Sequence, residues 1–250
     1  MLPSLQRLRS LARGLNPGPL IDLVWPRACE MCGAPPGQAG KYLCWDCLCA
    51  LPLIQPPFCT GCGDPVDGAI TRDYLCSLCV DRKPAFDQAR SALRFKGGIK
   101  DVLHRFKYSN ATHLTADLAN LLHACVNTHY AREKFDAVSF VPLHPAKARA
   151  RTYNQARLLA GHLAGLMGVP LAGGCLSRIR ETGTQTRLNM RARTKNVANA
   201  FQTHCSEWIE GRNFLLVDDV MTTGATVSAC ARALKEAGAA KVYVVTVARG

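Results

Sequence analysis

The stretch "FLLVDDVMTTGAT", Phe214 to Thr226, joins an apolar segment typical of a buried strand to a polar turn. Its first four residues are apolar, and two carboxylates, Asp218 and Asp219, follow side by side. Threonines and one glycine then lead into an apolar pattern of helical period. Ligands of open parallel sheets lie at the carboxyl ends of strands, so the stretch predicts a binding site at such an end.

The turn after Val220 has the features of an anion site. Unpaired N–H groups at a helix N-terminus and the positive end of the helix dipole attract phosphate. Gly224 lets backbone approach an anion closely, and the neighbouring threonines add hydroxyl donors. With the paired acids beside it, the turn predicts a ligand that carries both a phosphate and vicinal hydroxyls, a sugar phosphate. The alternative is that two acids end a strand and threonines cap a helix, which is common feature by feature.

Strand and helix patterns alternate from Asp136 onward. The segments "FDAVSFVPLHP", "VPLAGGCL" and "KVYVVTVA" favour strands, whereas "NQARLLAGHLAGLMG" and "TVSACARALKEAG" favour helices. Strands separated by single helices with short connections indicate an α/β fold with a parallel sheet flanked by helices. Residues 85–135 are interpreted as mainly helical connecting structure with a polar turn at 110–113.

The chain has 13 cysteines, and eight of them form four Cys-x2-Cys pairs. The first pair reads "CEMCG" and the third "CTGCG", which indicates an internal repeat of about 30 residues. The pairs are Cys29/Cys32, Cys44/Cys47, Cys59/Cys62 and Cys76/Cys79.

Two such pairs supply the four thiolates of a tetrahedral zinc site, so the cysteines predict a module with two structural Zn2+ ions. A sequential grouping places the first two pairs on one ion and the last two on the other, and an interleaved grouping is the alternative. A disulfide framework would need an oxidising compartment. The resulting organisation is an amphipathic N-terminal segment over 1–28, a double zinc ribbon over 29–83 and the α/β domain over 84–250.

The net charge of +13 is concentrated in the second part of the chain. Residues 1–90 hold 9 Lys and Arg against 8 Asp and Glu, whereas residues 91–250 hold 22 against 10. This excess suits phosphates or nucleic acid. No stretch approaches the roughly 20 apolar residues of a membrane span, and no signal peptide is evident, so we expect a cytoplasmic protein. Leu5, Leu8 and Leu11 alternate with arginines in a short amphipathic pattern that packs on protein or lies on a membrane surface.

The Phe214–Thr226 stretch resembles the phosphoribosyl pyrophosphate (PRPP) signature of type I phosphoribosyltransferases. Together with the four cysteine pairs, "VPLHPAKARARTYNQARLLA" and "RIRETGTQTRLNMRARTKNVANAF", it makes the chain similar to the ComF family, from about Leu20 to Gly250. Members are double-zinc-ribbon, phosphoribosyltransferase-like proteins linked to DNA uptake and competence. One departure lies at Thr152 and Tyr153, where the family more often has glycine and an aromatic residue.

The resemblance implies roles for residues of this chain. Asp218 and Asp219 would bind the ribose hydroxyls at the catalytic centre, and Mg2+ would be held chiefly by oxygens of PRPP itself. The 5′-phosphate would be held by Thr222, Thr223, Gly224, Ala225 and Thr226. A loop over 144–151 would meet the pyrophosphate through Lys147, Arg149 or Arg151. A mobile lid over 178–195 would include Arg178, Arg180, Gln185 and Arg187, and a solvated basic loop is the alternative for that segment.

Three functions are compatible with these residues. The first is a PRPP-binding phosphoribosyltransferase whose acceptor is unknown. The second is a non-catalytic factor that binds single-stranded DNA through basic residues near 94–107 and 178–195. The third is a scaffold in which the zinc module docks a partner such as a DNA-import protein.

Overall fold

The computed structural model describes residues 27–37, 41–68, 73–180 and 200–250. The chain separates into two compact units, unit 1 over Met1–Ala50 and unit 2 over Leu51–Gly250. The last two cysteine pairs therefore share unit 2 with the α/β sheet. The boundary between 83 and 84 stays a prediction about sequence modules.

Unit 2 contains a four-stranded parallel sheet in the order β1-β6-β5-β2, and a separate antiparallel pair, β3 and β4. The strands are β1 Gln88–Arg94, β2 Ala137–Phe140, β3 Leu176–Arg178, β4 Phe201–Thr203, β5 Asn213–Met221 and β6 Lys241–Arg249. The α/β fold predicted from the alternating patterns is confirmed. The weaker strand expected in "VPLAGGCL" is reduced to one bridge, from Leu171 to Val138 of β2, ahead of β3.

Helices cover both faces of this sheet. The helices of unit 2 are α2 Ser77–Arg82, α3 Gly98–Tyr108, α4 Thr115–His129, α5 Pro145–Arg151, α6 Gln155–Met167, α7 Ser206–Ile209 and α8 Ala225–Glu236, with a 3-10 turn at Thr112–Leu114. Unit 1 contains its own short helix, α1 Trp45–Cys49. Four consecutive residues of β5, Phe214 to Val217, are buried, which requires cover on both faces, and α6 and α8 both pack on this strand. Within the described ranges, no helix combines the length and hydropathy that a membrane crossing requires.

Residues 85–135 are mainly helical, as predicted, but they also contain strand β1, which the prediction did not include. Its five central residues are buried, but they include Arg90 and Ser91, which conceal the apolar run that usually marks a buried strand. The Ser91 hydroxyl lies 2.6 Å from the hydroxyl of Thr246 on β6. The Arg90 guanidinium stacks 4.8 Å from the ring centre of Phe58. Both polar side chains are thus accommodated by tertiary contacts that the sequence does not show.

The outer edge of β1 is covered by the chain that precedes it. The Ala89 N–H donates to the Gly61 carbonyl at 2.8 Å, and the Arg94 N–H donates to the Pro52 carbonyl at 2.8 Å. In the other direction, the Ile54 N–H donates to the Ala92 carbonyl at 3.0 Å. Residues 52–61 therefore continue the hydrogen bonding of the sheet beyond its last strand.

The buried hydroxyl pair between β1 and β6 gives a test of this strand order. Thr246→Val leaves the Ser91 hydroxyl without its 2.6 Å partner, and we expect a loss of about 1 to 3 kcal/mol in the free energy of unfolding. The double variant Ser91→Ala/Thr246→Val removes both hydroxyls and should recover most of that loss. Urea unfolding of the two variants measures the difference. Equal losses in both would contradict the pairing.

Candidate functional site

The eight paired cysteines form two compact groups, and they do so sequentially. In each group the four sulfurs lie within 4.8 Å of one another, and the closest described pairs are 3.6 Å apart. A tetrahedral zinc with Zn–S bonds of about 2.3 Å separates its sulfurs by about 3.8 Å. A disulfide needs a separation of about 2.05 Å, and all these cysteines are free thiols. The first cysteine group is Cys29, Cys32, Cys44 and Cys47, and the second cysteine group is Cys59, Cys62, Cys76 and Cys79. Both groups fit structural zinc ribbons.

The two groups repeat the same backbone hydrogen bonds. The Gly33 N–H donates to the Cys29 carbonyl at 2.8 Å, and the Gly63 N–H donates to the Cys59 carbonyl at 2.8 Å, with positive φ at both glycines. Further N–H groups point at the leading sulfur of each group. Burial alone would raise the pKa of Cys59, but these N–H groups lower it to about 7. The repeat therefore favours the thiolate that metal binding needs.

The turn Thr222–Thr226, called the threonine turn below, forms a recess at the carboxyl end of β5. All five of its residues and Asp218 line this recess, which encloses about 240 Å³, part of it open to solvent. Gly224 is the N-cap of α8 and has φ +72°, a conformation that glycine adopts without strain. The five residues expected to hold a 5′-phosphate thus share one small cavity at a helix N-terminus.

Asp218 is the carboxylate that faces this recess. Its Oδ1 accepts a hydrogen bond from the Asp219 N–H at 2.9 Å. Burial, followed by the charge of Asp219, raises the pKa of Asp218 to about 8, although Lys107 opposes this shift. With this pKa, the Asp218 carboxyl group carries little negative charge at neutral pH. An uncharged carboxyl group beside a recess for an anion is suited to hydrogen bonding with the hydroxyls of a ligand.

Asp219 is buried and does not line the recess. It forms an ion pair with Lys107 at the end of α3, with 3.1 Å between Lys107 Nζ and Asp219 Oδ2. Burial alone would lower the pKa of Lys107, but the carboxylates of Asp219 and Asp218 raise it above its ordinary value. Successive residues of a strand point to opposite faces, which is why the two aspartates differ.

Lys107 is a site residue that sequence reasoning did not single out. It lies among the basic residues of α3, where a solvated helix face was an equally good interpretation. The sequence signal for Lys107 is indirect. A carboxylate that is buried in a sheet needs a cation nearby, and the last turn of α3 supplies a lysine.

The prediction that residues 144–151 form a loop is wrong, because residues 145–151 form helix α5. Their contact with a pyrophosphate stays a prediction. Pro145 occupies the first helical position, His144 accepts the Ala146 N–H through Nδ1 at 3.3 Å, and the remaining residues are strong helix formers. Arg149 is exposed, and the side chain of Lys147 lies outside the described residues. The Arg151 guanidinium stacks on the Tyr108 ring, 4.8 Å from its centre.

The residues after α5 are tied to the end of α3. Tyr153 donates its hydroxyl to the Phe106 carbonyl, and the Gln155 amide donates to the Lys107 carbonyl at 3.1 Å. Thr152, directly before Tyr153, has φ +63°, a left-handed conformation that strains a β-branched residue. This is the position at which the ComF resemblance leads us to expect glycine. The contacts bring α5, Lys107 and Asp219 together at one edge of the sheet.

The predicted lid is described only at its start. Arg178 ends β3 and stacks on the Phe201 ring at 5.4 Å, and its charge acts to lower the pKa of Asp218. Arg180 is exposed. Gln185 and Arg187 lie outside the described residues. The lid therefore stays a prediction.

The raised pKa of Asp218 gives a signed dependence of stability on pH. Between an unfolded pKa of about 4 and the folded pKa of about 8, the folded state holds one proton more than the unfolded state, so stability falls as pH rises. Asp218→Asn removes this titration. We expect its gain in the free energy of unfolding to grow from pH 4 to pH 8, by on the order of 1 kcal/mol or more, and then to level off.

Thermal unfolding across this pH range measures the effect, with Asp219→Asn as the matched control. That variant deprives Lys107 of its ion-pair partner and should lower stability at pH 7. A gain in Asp218→Asn that is the same at pH 5 and at pH 8 would show that the carboxyl titrates normally.

Two domain families match the chain in the order that the motifs predict. The double zinc ribbon domain matches residues 20–81, and the phosphoribosyl transferase domain matches residues 154–250. A solved structure of a glutamine PRPP amidotransferase of B. subtilis with ADP and GMP is 21% identical, with a TM-score of 0.38, over 57% of this chain and 30% of that one. An overlap at that score supports no inference about this chain.

Two curated relatives cover most of the sequence. The DNA utilization protein YhgH of Salmonella typhimurium is 30% identical over 227 residues, which are 89% of this chain and 96% of that protein. Competence protein F of Haemophilus influenzae is 29% identical over 224 residues, which are 84% of this chain and 97% of that protein. With these relatives and both domain families in place, the chain belongs to the ComF family.

Proposed function

We propose that the chain binds PRPP with Mg2+ and acts as a phosphoribosyltransferase on an acceptor still to be identified, with two structural Zn2+ ions in its cysteine groups. The single observation that carries this proposal is the recess shared by Asp218 and the threonine turn. The names of its relatives, which refer to DNA utilization and competence, support a role in the use of imported DNA.

The recess suits the ribose 5-phosphate half of the ligand. Backbone N–H groups at the start of α8 and the threonine hydroxyls bind the 5′-phosphate. Asp218 hydrogen-bonds a ribose hydroxyl. Mg2+ would be held mainly by oxygens of PRPP and would neutralise part of the charge of the pyrophosphate.

The basic residues around Asp219 suit the pyrophosphate half. When the ligand binds, Lys107 exchanges its ion pair with Asp219 for one with the pyrophosphate. The Asp219 carboxylate then hydrogen-bonds the second ribose hydroxyl. Arg149 and Arg151 on α5 add positive charge. Transfer breaks the bond between ribose C1 and the pyrophosphate oxygen, so cations placed where negative charge develops on the leaving group stabilise the transition state.

Isothermal titration of the full chain with PRPP and Mg2+ tests this proposal. We expect binding in the wild type and a loss of roughly 10²-fold or more in Asp218→Asn/Asp219→Asn, the size of losing one or two aimed polar contacts. Lys107→Met should weaken PRPP more than it weakens inorganic phosphate, because its charge acts on the pyrophosphate.

Asp101→Asn is the matched control, since Asp101 is an exposed aspartate on α3. It should bind PRPP like the wild type. A wild-type chain that shows no heat of binding with PRPP and Mg2+ would end the proposal.

A second candidate, binding of single-stranded DNA, is favoured by one exposed aromatic residue. Tyr108 is 59% exposed at the end of α3, its ring carries the Arg151 guanidinium, and Lys100 and Arg105 are exposed on the same helix. A stacking platform beside cations is the usual means of binding single strands without sequence preference.

Fluorescence anisotropy with a labelled oligothymidylate tests this candidate. Tyr108→Ala should weaken binding by about 5- to 100-fold, the range for losing one stacked base. Affinity should fall with salt by about 0.7 log units per log unit for each phosphate neutralised. Leu166→Ala, at an exposed apolar residue of α6, is the control and should bind normally. Salt-insensitive binding would exclude an electrostatic DNA site here.

A further inference from the structure

Arg249, the last residue of β6, joins three parts of unit 2. Its side chain is only 3% exposed. Nη1 donates to the Met221 carbonyl at 3.3 Å, and Nη2 donates to the Cys62 sulfur at 3.8 Å. Nε lies 3.0 Å from Asp64 Oδ1 in an ion pair. One buried guanidinium thus links the second cysteine group to the end of β5.

The Met221 carbonyl is the last backbone group before the threonine turn. It accepts a second hydrogen bond from the Gly250 N–H at 3.0 Å, so both of its described donors come from the end of β6. Gly224 of the turn also lies against Met221 and Phe86. A Cβ added at Gly224 would lie 3.6 Å from the Met221 sulfur and 3.8 Å from the Phe86 ring.

Residues of the threonine turn and of the second cysteine group also line the same cleft. Residues 223–225, Cys62, Cys79 and Arg249 line this one cleft of about 870 Å³, part of which is open to solvent. Arg249 therefore faces the same cleft as the turn and is hydrogen-bonded to the residue that precedes the turn.

Charge explains why Arg249 stays buried. Four thiolates with one Zn2+ carry a net charge of about −2. Two buried arginines lie beside this group, Arg249 on Cys62 and Arg90, whose Nη1 donates to the Thr60 carbonyl at 3.1 Å. When the metal leaves, the ion no longer holds the Cys62 sulfur in place, so Arg249 loses a fixed partner in a site where an unpaired charge is costly.

We propose that Arg249 is a positioning residue through which metal loading of the second cysteine group sets the geometry of the threonine turn. The second zinc ribbon then stabilises the geometry of the anion site, whether or not it also binds a partner. The consequence for PRPP affinity rests on the proposed function, whereas the consequence for the turn itself does not.

Hydrogen exchange of the full-length chain tests the proposal without any ligand. Cys79→Ser removes a metal ligand of the second cysteine group that makes no described contact with Arg249, and Cys47→Ser is the matched change in the first cysteine group. We expect amide exchange over 222–226 to quicken at least 10-fold in Cys79→Ser and Arg249→Met, and to stay at the wild-type rate in Cys47→Ser. Peptides of β5 and β6 report whether each variant is folded.

Two measurements separate positioning from general destabilisation. Zinc analysis should show that Arg249→Lys keeps two ions per chain, and its turn should exchange at a rate between those of the wild type and Arg249→Met. In the cobalt-substituted chain, the thiolate-to-cobalt band of the second cysteine group should shift in Arg249→Met, because the Cys62 sulfur loses a donor. If Cys79→Ser fails to fold, chelation of zinc from the wild type followed by the same exchange measurement replaces it.

The outcomes distinguish this inference from the proposed function. Equal turn exchange in Cys79→Ser and Cys47→Ser, or an unchanged turn in Arg249→Met, overturns the inference even if PRPP binds. A turn that responds to metal in a chain that does not bind PRPP sustains the inference and removes the proposed function. If both hold, Arg249→Met should bind PRPP about 10-fold or more weakly, with Arg249→Lys in between.

Discussion

A carboxylate buried in a sheet needs a cation, and the ion pair between Asp219 and Lys107 meets that need. The pair fixes the end of α3 against β5. The residues after α5 hold the same end of α3 through Tyr153 and Gln155. One buried pair therefore brings a strand end, a basic helix and an arginine-bearing helix to a common edge.

The duplicated cysteine motif illustrates how identical local geometry acquires different roles. Both copies make the same glycine turn and direct the same N–H groups at their leading sulfur. The first copy lies in unit 1, while the second belongs to unit 2 and carries buried arginines on its flank. Local hydrogen bonds thus preserve the metal site in each copy, and the surroundings decide what else the copy does.

Local patterns were sufficient to predict β2, β5, β6, α6 and α8, because each has an apolar period that matches its own element. Strand β1 was missed because Arg90 and Ser91 interrupt its apolar run, and their tertiary partners, which include Phe58, Thr60 and Thr246, are distant in sequence. Helix α5 was missed because seven residues show too little periodicity, although Pro145 is a start signal. The threonine turn was predicted as one contiguous motif. Lys107 and Arg249 form ion pairs with residues that are distant in sequence, and a single sequence does not show which carboxylate each of them pairs with.

The cover over the outer edge of β1 has a further consequence. A parallel sheet that ends in a bare strand offers unpaired N–H and C=O groups to any other chain, and proteins protect such edges to avoid self-association. Here the protection comes from residues 52–61, a segment that includes Cys59 of the second cysteine group. A shortened chain that begins after the zinc module would lack this segment and would expose the unpaired edge of β1 to other chains. Insolubility of such a chain would therefore say nothing about catalysis.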